Sequence, residues 1–391
     1  MEWQSKKLTE ISEVKTGKWD ANHASEDGKY KFFTCAYEAF LCDTKRFEGE
    51  CLILPGNGVN VGEVFYYSGD FDAYQRTYVC SDIKIEPKYL FYHLKCFWRD
   101  RNLNKQFGSA TNYLKIGNFK DYEVSFPPIP EQKRIVAILD QAFADIEQAR
   151  AKTEQNLKNA RELFESYLQQ VFSQRGEGWV ETTLGAVAEF KNGLNFSQSS
   201  KGEKLKVVGV KDFKSNFMVP FEQLDTIQID GDLSESYELK ENDIITVRSN
   251  GNKRLIGRCL LMGKVVNKTS YSGFTIRIRL EDKSVFARFL AYYLKSSSTH
   301  ELLINSGEGA NISNLNQKIL TSLPVAFPHF DKQVQLVNCI EKVEAESQEL
   351  EKVYANKLKT IDVLKKSILQ KAFSGELTKT LEVDTNKGAV A

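Results

Sequence analysis

Residues 126–173 read FPPIPEQKRIVAILDQAFADIEQARAKTEQNLKNARELFESYLQQVFS, and after Pro130 no glycine or proline follows until Gly176. Apolar or small residues recur at Ile135, Leu139, Ala142, Ile146, Ala149, Leu157, Ala160, Phe164, Tyr167 and Val171. Steps of three and four mark one stripe of an α-helix, not the alternation of a strand. Pro130 suits a first helical turn, and Gly176 with Gly178 suits a stop. At 1.5 Å per residue the helix would be roughly 65 Å long, more than a small domain is wide. A single globule cannot bury such a stripe.

The same chain holds a matching partner. Phe126 and Pro127 recur 201 residues later as Phe327 and Pro328, and Gln132 recurs as Gln333. Leu163, Ser166, Leu168, Gln169, Phe172 and Ser173 recur as Leu364, Ser367, Leu369, Gln370, Phe373 and Ser374. A second stripe follows at Leu336, Ile340, Val343, Leu350, Leu358, Ile361 and Ile368. Two long helices with equivalent stripes pack most simply on each other. Two unrelated surface helices are the alternative.

Working outward, the opening WQSKKLTEISEVKTG returns after the first helix as WVETTLGAVAEFKNG. Trp3, Leu8, Ile11, Val14, Lys15 and Gly17 each lie 176 residues before Trp179, Leu184, Val187, Phe190, Lys191 and Gly193. A repeat this long is a duplicated domain. The offset then grows: LPGNG at 54–58 aligns with VRSNG at 247–251, and Leu90, Tyr92, Leu94 and Lys95 align with Leu290, Tyr292, Leu294 and Lys295. Between offsets of 176 and 201 the second copy gains about 25 residues, mostly within 204–236. Short β-type runs at 51–54, 63–67, 243–248 and 274–280, with helical pieces at 89–97 and 285–295, predict an α+β class for each body.

The expected organisation is a first body at 1–127, a long helix at 128–175, a second body at 176–328, a second long helix at 329–375 and a tail at 376–391. An antiparallel helix pair would give a rod with a similar body at each end and an internal pseudo-two-fold axis. Such a pseudo-dimer suits a target with two half-sites.

Composition sets limits. With 53 Lys and Arg against 52 Asp and Glu, the net charge of +1 gives no whole-protein field for nucleic acid. Charge is uneven locally, with Lys253, Arg254, Arg258, Lys264 and Lys268 in one stretch and Glu341, Glu344, Glu346, Glu349 and Glu351 in another. No run is long enough to span a membrane and MEWQS does not open a signal peptide, so the cytoplasm is expected. Seven cysteines without a CxxC pair and four scattered histidines give neither a disulfide framework nor a zinc site.

Catalytic signatures are missing too. The only Pro-Pro lies in SFPPI, without the (N/D)PP(Y/F) flanks of an adenine methyltransferase, and GxxxxGK(S/T) does not occur. Asp232 with Glu238, Leu239 and Lys240 imitates a nuclease D…ExK pattern, which arises readily by chance.

PPIPEQKRIVAIL at 127–139, GSATNYLKIGNF at 108–119 and the endings LFESYLQQVFS and LKKSILQKAFSGELT resemble the DNA-specificity subunit of type I restriction-modification enzymes. The resemblance runs from Trp3 to about Thr378. It implies two α+β target recognition domains separated by paired coiled-coil helices, and a non-catalytic subunit recognising a gapped DNA target. It also implies docking of two modification subunits, which carry S-adenosylmethionine and methylate adenine, and of motor-nuclease restriction subunits that use ATP and magnesium. No cofactor is then expected on this chain, and Gln132, Gln333, Phe172 and Phe373 are the expected subunit-interface residues. One departure is His329, Phe330, Asp331 and Lys332, which stand where the first half has Pro128, Ile129, Pro130 and Glu131.

Base edges are read by Arg, Lys, Asn and Gln, while phosphate contacts fix register. The recurrent Gly/Asn-rich loops supply Lys15, Lys18, Asn57, Asn60, Gln75, Arg76, Ser109, Thr111 and Asn112 in the first body. In the second they supply Lys191, Asn192, Arg248, Asn250, Asn252, Lys253, Arg254, Ser272 and Asn311. RSNGNKR at 248–254 is the leading candidate, and a solvated Asn-Gly hairpin turn is its alternative. Tyr66, Tyr67, Tyr292 and Tyr293 are read as core rather than stacking platforms. Two other functions stay open: a coiled-coil scaffold that binds protein, and a DNA-modifying enzyme of unrecognised type.

Overall fold

In a computed structural model, two continuous helices occupy the two periodic stretches: Ile129–Ser173 with 45 residues and Phe330–Phe373 with 44. The structure describes residues 3–102, 112–197, 200–214, 216–305 and 313–377. It divides into two compact units, Met1–Glu154 with Asn356–Ala391 and Gln155–Ala355. Each unit takes one body and half of each long helix. The reason is that the body core and the helix core are one: Leu8, Leu52, Tyr89 and Phe119 share a cluster with Ile135, Leu139 and Leu369. In the second unit, Leu184, Ile244 and Leu290 likewise share one with Leu168, Phe172, Val337 and Ile340.

The helices run antiparallel within each unit. In the first, Arg150 pairs with Asp362, and Glu147 with Lys365 at 2.8 Å. In the second, Arg161 pairs with Glu351 at 3.1 Å. Such exposed pairs contribute about 0–1 kcal/mol each. Burial of Ile135, Leu139 and Ile340, at roughly 1.5–3 kcal/mol each, weighs more.

The buried line departs from the expected stripe. Ala149 is exposed and Leu350 is 38% exposed, while Thr153 and Ser347 are buried. Burial follows 139, 146, 153 and 160 on one helix and 340, 347 and 361 on the other, with Tyr354 half-buried between them, the seven-residue repeat of a coiled-coil seam. Small hydroxyl residues fit that seam because their polar atoms turn to backbone. Thr153 Oγ1 donates to the Ala149 carbonyl at 2.7 Å, and Ser347 Oγ to the Ala160 carbonyl at 2.5 Å.

The bodies repeat one topology. In the first unit a four-stranded antiparallel sheet orders Glu13–Thr16, Thr77–Ser81, Glu50–Pro55 and Phe65–Ser68. A three-stranded sheet orders Phe40–Cys42, Tyr30–Phe33 and Phe71–Ala73, the last pair parallel. The second unit repeats both sheets with Ala188–Asn192, Thr275–Leu280, Ile244–Val247 and Cys259–Leu261, and with Asp225–Gln228, Lys204–Val208 and Thr269–Tyr271. The α+β expectation therefore holds. The second unit's additional residues lengthen the connections at 209–224 and 229–243. Gly17 and Gly193 recur because backbone crowds them: a Cβ would lie 1.7 Å from the Ala73 oxygen or 2.2 Å from the Ser272 oxygen.

The four residues expected at a subunit interface pack within their own units, Phe373 only partly buried. Gln132, 1% exposed, accepts from the Glu86 N–H at 2.9 Å and donates to the Pro127 carbonyl at 2.7 Å. Gln333, 0% exposed, accepts from the Phe286 N–H at 2.8 Å and donates to the Ser284 and Pro328 carbonyls at 2.8 Å. Each glutamine thus ties the start of a long helix to the start of a body helix, Pro87–Asn102 or Ala287–Lys295. That shared duty explains why Gln333 persists while its neighbours diverge. Phe172 packs edge-on against Phe289 and Tyr293, and Phe373 against Tyr89, His93 and Phe97.

Candidate nucleic-acid interface

The same backbone frame gathers the loops in each unit. In the first, the Gly56 N–H donates to the Arg76 carbonyl at 2.9 Å, the Leu114 N–H to the Gly56 carbonyl at 2.8 Å, and the Gly58 N–H to the Asn112 carbonyl at 2.9 Å. In the second, the Arg248 N–H donates to the Phe274 carbonyl and the Leu315 N–H to the Arg248 carbonyl, both at 2.8 Å. Strand pairs Ser249 with Asn314 and Asn250 with Ser313 complete it. A fourth segment joins through Gly17 and Gly193, whose N–H groups reach the Thr77 and Thr275 carbonyls at 3.2 and 3.0 Å.

These bonds correct the repeat's register by one residue. Gly56 is equivalent to Arg248, not Ser249, because both make the same two backbone bonds. Matching the Asn-Gly pairs by identity slipped the alignment. Three structurally equivalent positions then carry unlike side chains: Gly56, Arg76 and Tyr113 against Arg248, Phe274 and Asn314.

In the first unit Gln75 and Arg76 are exposed and line a cleft of about 390 Å³ with Gly56, Tyr113 and Lys115. Lys18, exposed, adjoins Trp19, whose carbonyl accepts from the Gln75 N–H at 2.9 Å. The Gln75 amide donates to Asp20. Asn57 bridges to Tyr113 through backbone, and Asn112 is exposed. Two candidates are engaged away from this cleft. Asn60 spends its amide on the Cys35 carbonyl at 2.8 Å, and Lys15 pairs with Glu13 at 2.6 Å and lines a separate cleft with Arg46.

In the second unit the asparagines shape the loop. Asn250 Oδ1 accepts from the Asn252 N–H at 2.8 Å, and Asn252 Oδ1 from the Arg254 N–H at 3.1 Å, capping the turn Lys253–Leu255. This leaves Lys253 and Arg254 exposed. The hairpin alternative fails, because 248–258 is one long connection between Ile244–Val247 and Cys259–Leu261 and neither Asn250 nor Gly251 has positive φ. Arg248 is half-buried with Nη1 3.4 Å from the Gly273 carbonyl, and the Asn192 amide oxygen accepts from Gln317 at 3.2 Å. Lys191 Nζ lies 4.2 Å from the centre of the Tyr237 ring. Ser272 is only 6% exposed and its hydroxyl faces no partner among the described residues, so it is not a surface contact. Ser109, Thr111 and Asn311 lie outside the described residues.

Sequence reasoning missed Tyr113, Lys115 and Phe274. Phe274 is 62% exposed on the frame, though its run reads as a strand. The duplicated register was the available signal, since Phe274 stands where Arg76 does. Tyr292 and Tyr293 are core as expected. His93 is a core residue, its pKa pushed down to about 3 by burial and secondarily by Arg101, with the Tyr122 hydroxyl 3.2 Å from Nδ1. Among the described residues no cluster could hold a metal, and no helix is long and apolar enough to cross a membrane.

A chain that builds one loop frame twice and fills it with different side chains is a tandem recognition protein. The profile of the family described as type I restriction modification DNA specificity domain matches residues 1–157 and again 176–360. The chain therefore belongs to that family and is a non-catalytic DNA-specificity subunit. It is 26% identical over 401 residues to the type I restriction enzyme EcoDI specificity subunit of Escherichia coli, covering 97% of this chain and 89% of that one. Its fold is similar to a chain from a structural study of complex assembly and conformational transition of the type I R-M system, with TM-score 0.74, 16% identity and 96% and 98% coverage. The HsdS subunit from Thermoanaerobacter tengcongensis gives TM-score 0.63 at 16% identity, covering 96% and 97%.

Proposed function

We propose that each unit reads one half of a gapped duplex target through its own loop frame. The observation that supports this is the pairing of equivalent backbone positions with unlike side chains: Gly56, Arg76 and Tyr113 against Arg248, Phe274 and Asn314. A frame of fixed backbone and variable side chains separates positioning from base readout. In the first unit Gln75 and Arg76 act with Lys18 and Lys115. In the second, Arg248 acts with Lys253, Arg254 and the exposed Phe274, whose ring suits a thymine methyl.

The chain works in the cytoplasm with two modification subunits, which bring S-adenosylmethionine and methylate adenine in each half-site. Motor-nuclease restriction subunits with ATP and magnesium complete the cutting form. Arg76→Ala should relax the first half-site and Arg248→Ala the second, each by about 1–3 kcal/mol of base discrimination. Competition binding with single-base variants of both halves measures this. Loss spread equally over both halves by either variant would refute separate reading.

A further inference from the structure

The equivalence of the units extends to a place beside the frame. Gly62 and Gly257 both have positive φ, +100° and +76°. The next residue in each case donates its N–H three residues back: Glu63 to the Asn60 carbonyl at 3.0 Å, Arg258 to the Leu255 carbonyl at 3.2 Å. Glu63 and Arg258 therefore hold the same position with opposite charge. Lys95 and Lys295, 200 residues apart in the repeat, stand over them.

In the first unit this position is neutralised. Lys95 Nζ lies 3.1 Å from Glu63, and Arg99 lies 3.5 Å from it. In the second unit Lys295 reaches the Asn216 carbonyl, at 3.2 Å, and the face of Phe217, at 4.9 Å. Arg258 is pinned by its Nε to the Arg254 carbonyl at 3.2 Å and by Nη1 to the Lys214 carbonyl at 2.8 Å. Both residues line a cleft of about 580 Å³ with Lys214 and Arg254, and with the acidic Glu165 and Glu301. Among the described residues none of the four cations has an ion pair. Glu165 accepts from Ser297 Oγ at 2.9 Å, and His300 donates Nε2–H to the Ile256 carbonyl at 2.9 Å. Burial holds the His300 pKa below its ordinary value.

We propose that this cleft binds a phosphate group. Four cationic residues against Glu165 and Glu301 in the lining, with Glu344 also acting on Lys295, leave a net positive balance, and a guanidinium fixed on two carbonyls is prepared for an oxyanion at little entropic cost. Lys295 is half-buried, and burial lowers its pKa, a cost that a bound anion would offset. Cationic residues on more than one side of the cleft, Lys214, Arg254, Arg258 and Lys295, suit a tetrahedral oxyanion better than a planar carboxylate. Arg254 belongs both to this cleft and to the loop at 248–258. On the specificity-subunit reading, on which this assignment of source rests, the phosphate is one of the DNA backbone. Free phosphate or a nucleotide's phosphate is the same chemistry from another source.

The full-length chain tests this by thermal unfolding in sodium phosphate and in sodium chloride of equal ionic strength. The parent chain should melt higher in phosphate, and Lys295→Met, which keeps an apolar stem, should lose that increment. Arg258→Glu, which rebuilds the pairing of Glu63 with Lys95, should lose it too. An equal increment in parent and both variants, or none in the parent, overturns the site. The source is read from DNA affinity against salt in the complex with modification subunits. If the phosphate is DNA's, Lys295→Met flattens the log–log slope by about one without changing the preferred sequence. An unchanged slope with the phosphate increment present assigns free phosphate. No DNA binding by the parent complex would end the specificity reading and leave the increment standing.

Discussion

In the first unit Lys95 faces Glu63; in the second Lys295 faces Arg258, although the backbone around both glycines is the same. The core repeats that contrast. The buried Asp243 and the partly exposed Arg279 form an ion pair with two 2.7 Å bonds, while the equivalent residues of the first unit are Cys51 and Ser81. Backbone hydrogen bonds and glycine conformation fix the frame, and side-chain chemistry is free to diverge on it. For a recognition protein this is the useful division: a unit can change what it reads without changing how it is held.

The largest expected effect breaks the core contrast. Asp243→Ala removes both bonds to Arg279 and should cost about 3 kcal/mol, whereas Cys51→Ala should cost about 1 kcal/mol. Hydrogen exchange over Ile244–Val247 and over Glu50–Pro55 reads each unit separately. Next come the two glutamines, where the units agree: Gln132→Ala and Gln333→Ala should each cost about 2–3 kcal/mol, since each leaves buried backbone groups unpaired. A cost confined to one of them would break the equivalence.

Acid should separate the units again. His93 is neutral when folded, with a pKa near 3 against 6.5 when unfolded, so its contribution is intact above 6.5 and is lost as pH falls below it. Between pH 6.5 and 5 the first unit should lose up to about 2 kcal/mol of protection, at about 1.4 kcal/mol per unit. His93→Gln, which keeps an acceptor for Tyr122, should flatten that slope. The smallest effect on stability is expected from residues added within 174–178, which should alter the gap between half-sites and leave their bases unchanged. Methylation at the original gap would contradict it.

Much of this was legible because helical spacing and a long repeat are strong signals. Both helices, the duplicated α+β bodies and the loops around Gly56 and Arg248 follow from them. The seam was misread at Ala149 and Leu350 because apolar identity was followed, while packing admitted Thr153 and Ser347 through backbone bonds. Recurrence of Gln132 and Gln333 reflects buried hydrogen bonding, which a sequence does not distinguish from an exposed contact. Asn60 and Ser272 have the right chemistry for DNA but are consumed or covered by the fold. Lys295 and Arg258 meet only through tertiary structure, so nothing in the stretch around either announces the cleft.

The central claim is a DNA-specificity subunit that reads two half-sites separately. A genome-wide adenine methylation map of the source cell, with and without this gene, tests it most directly. The account predicts that one gapped, two-part motif loses methylation when the gene is removed. Loss of a single ungapped motif, or no loss while the modification partners are present and active, would contradict it.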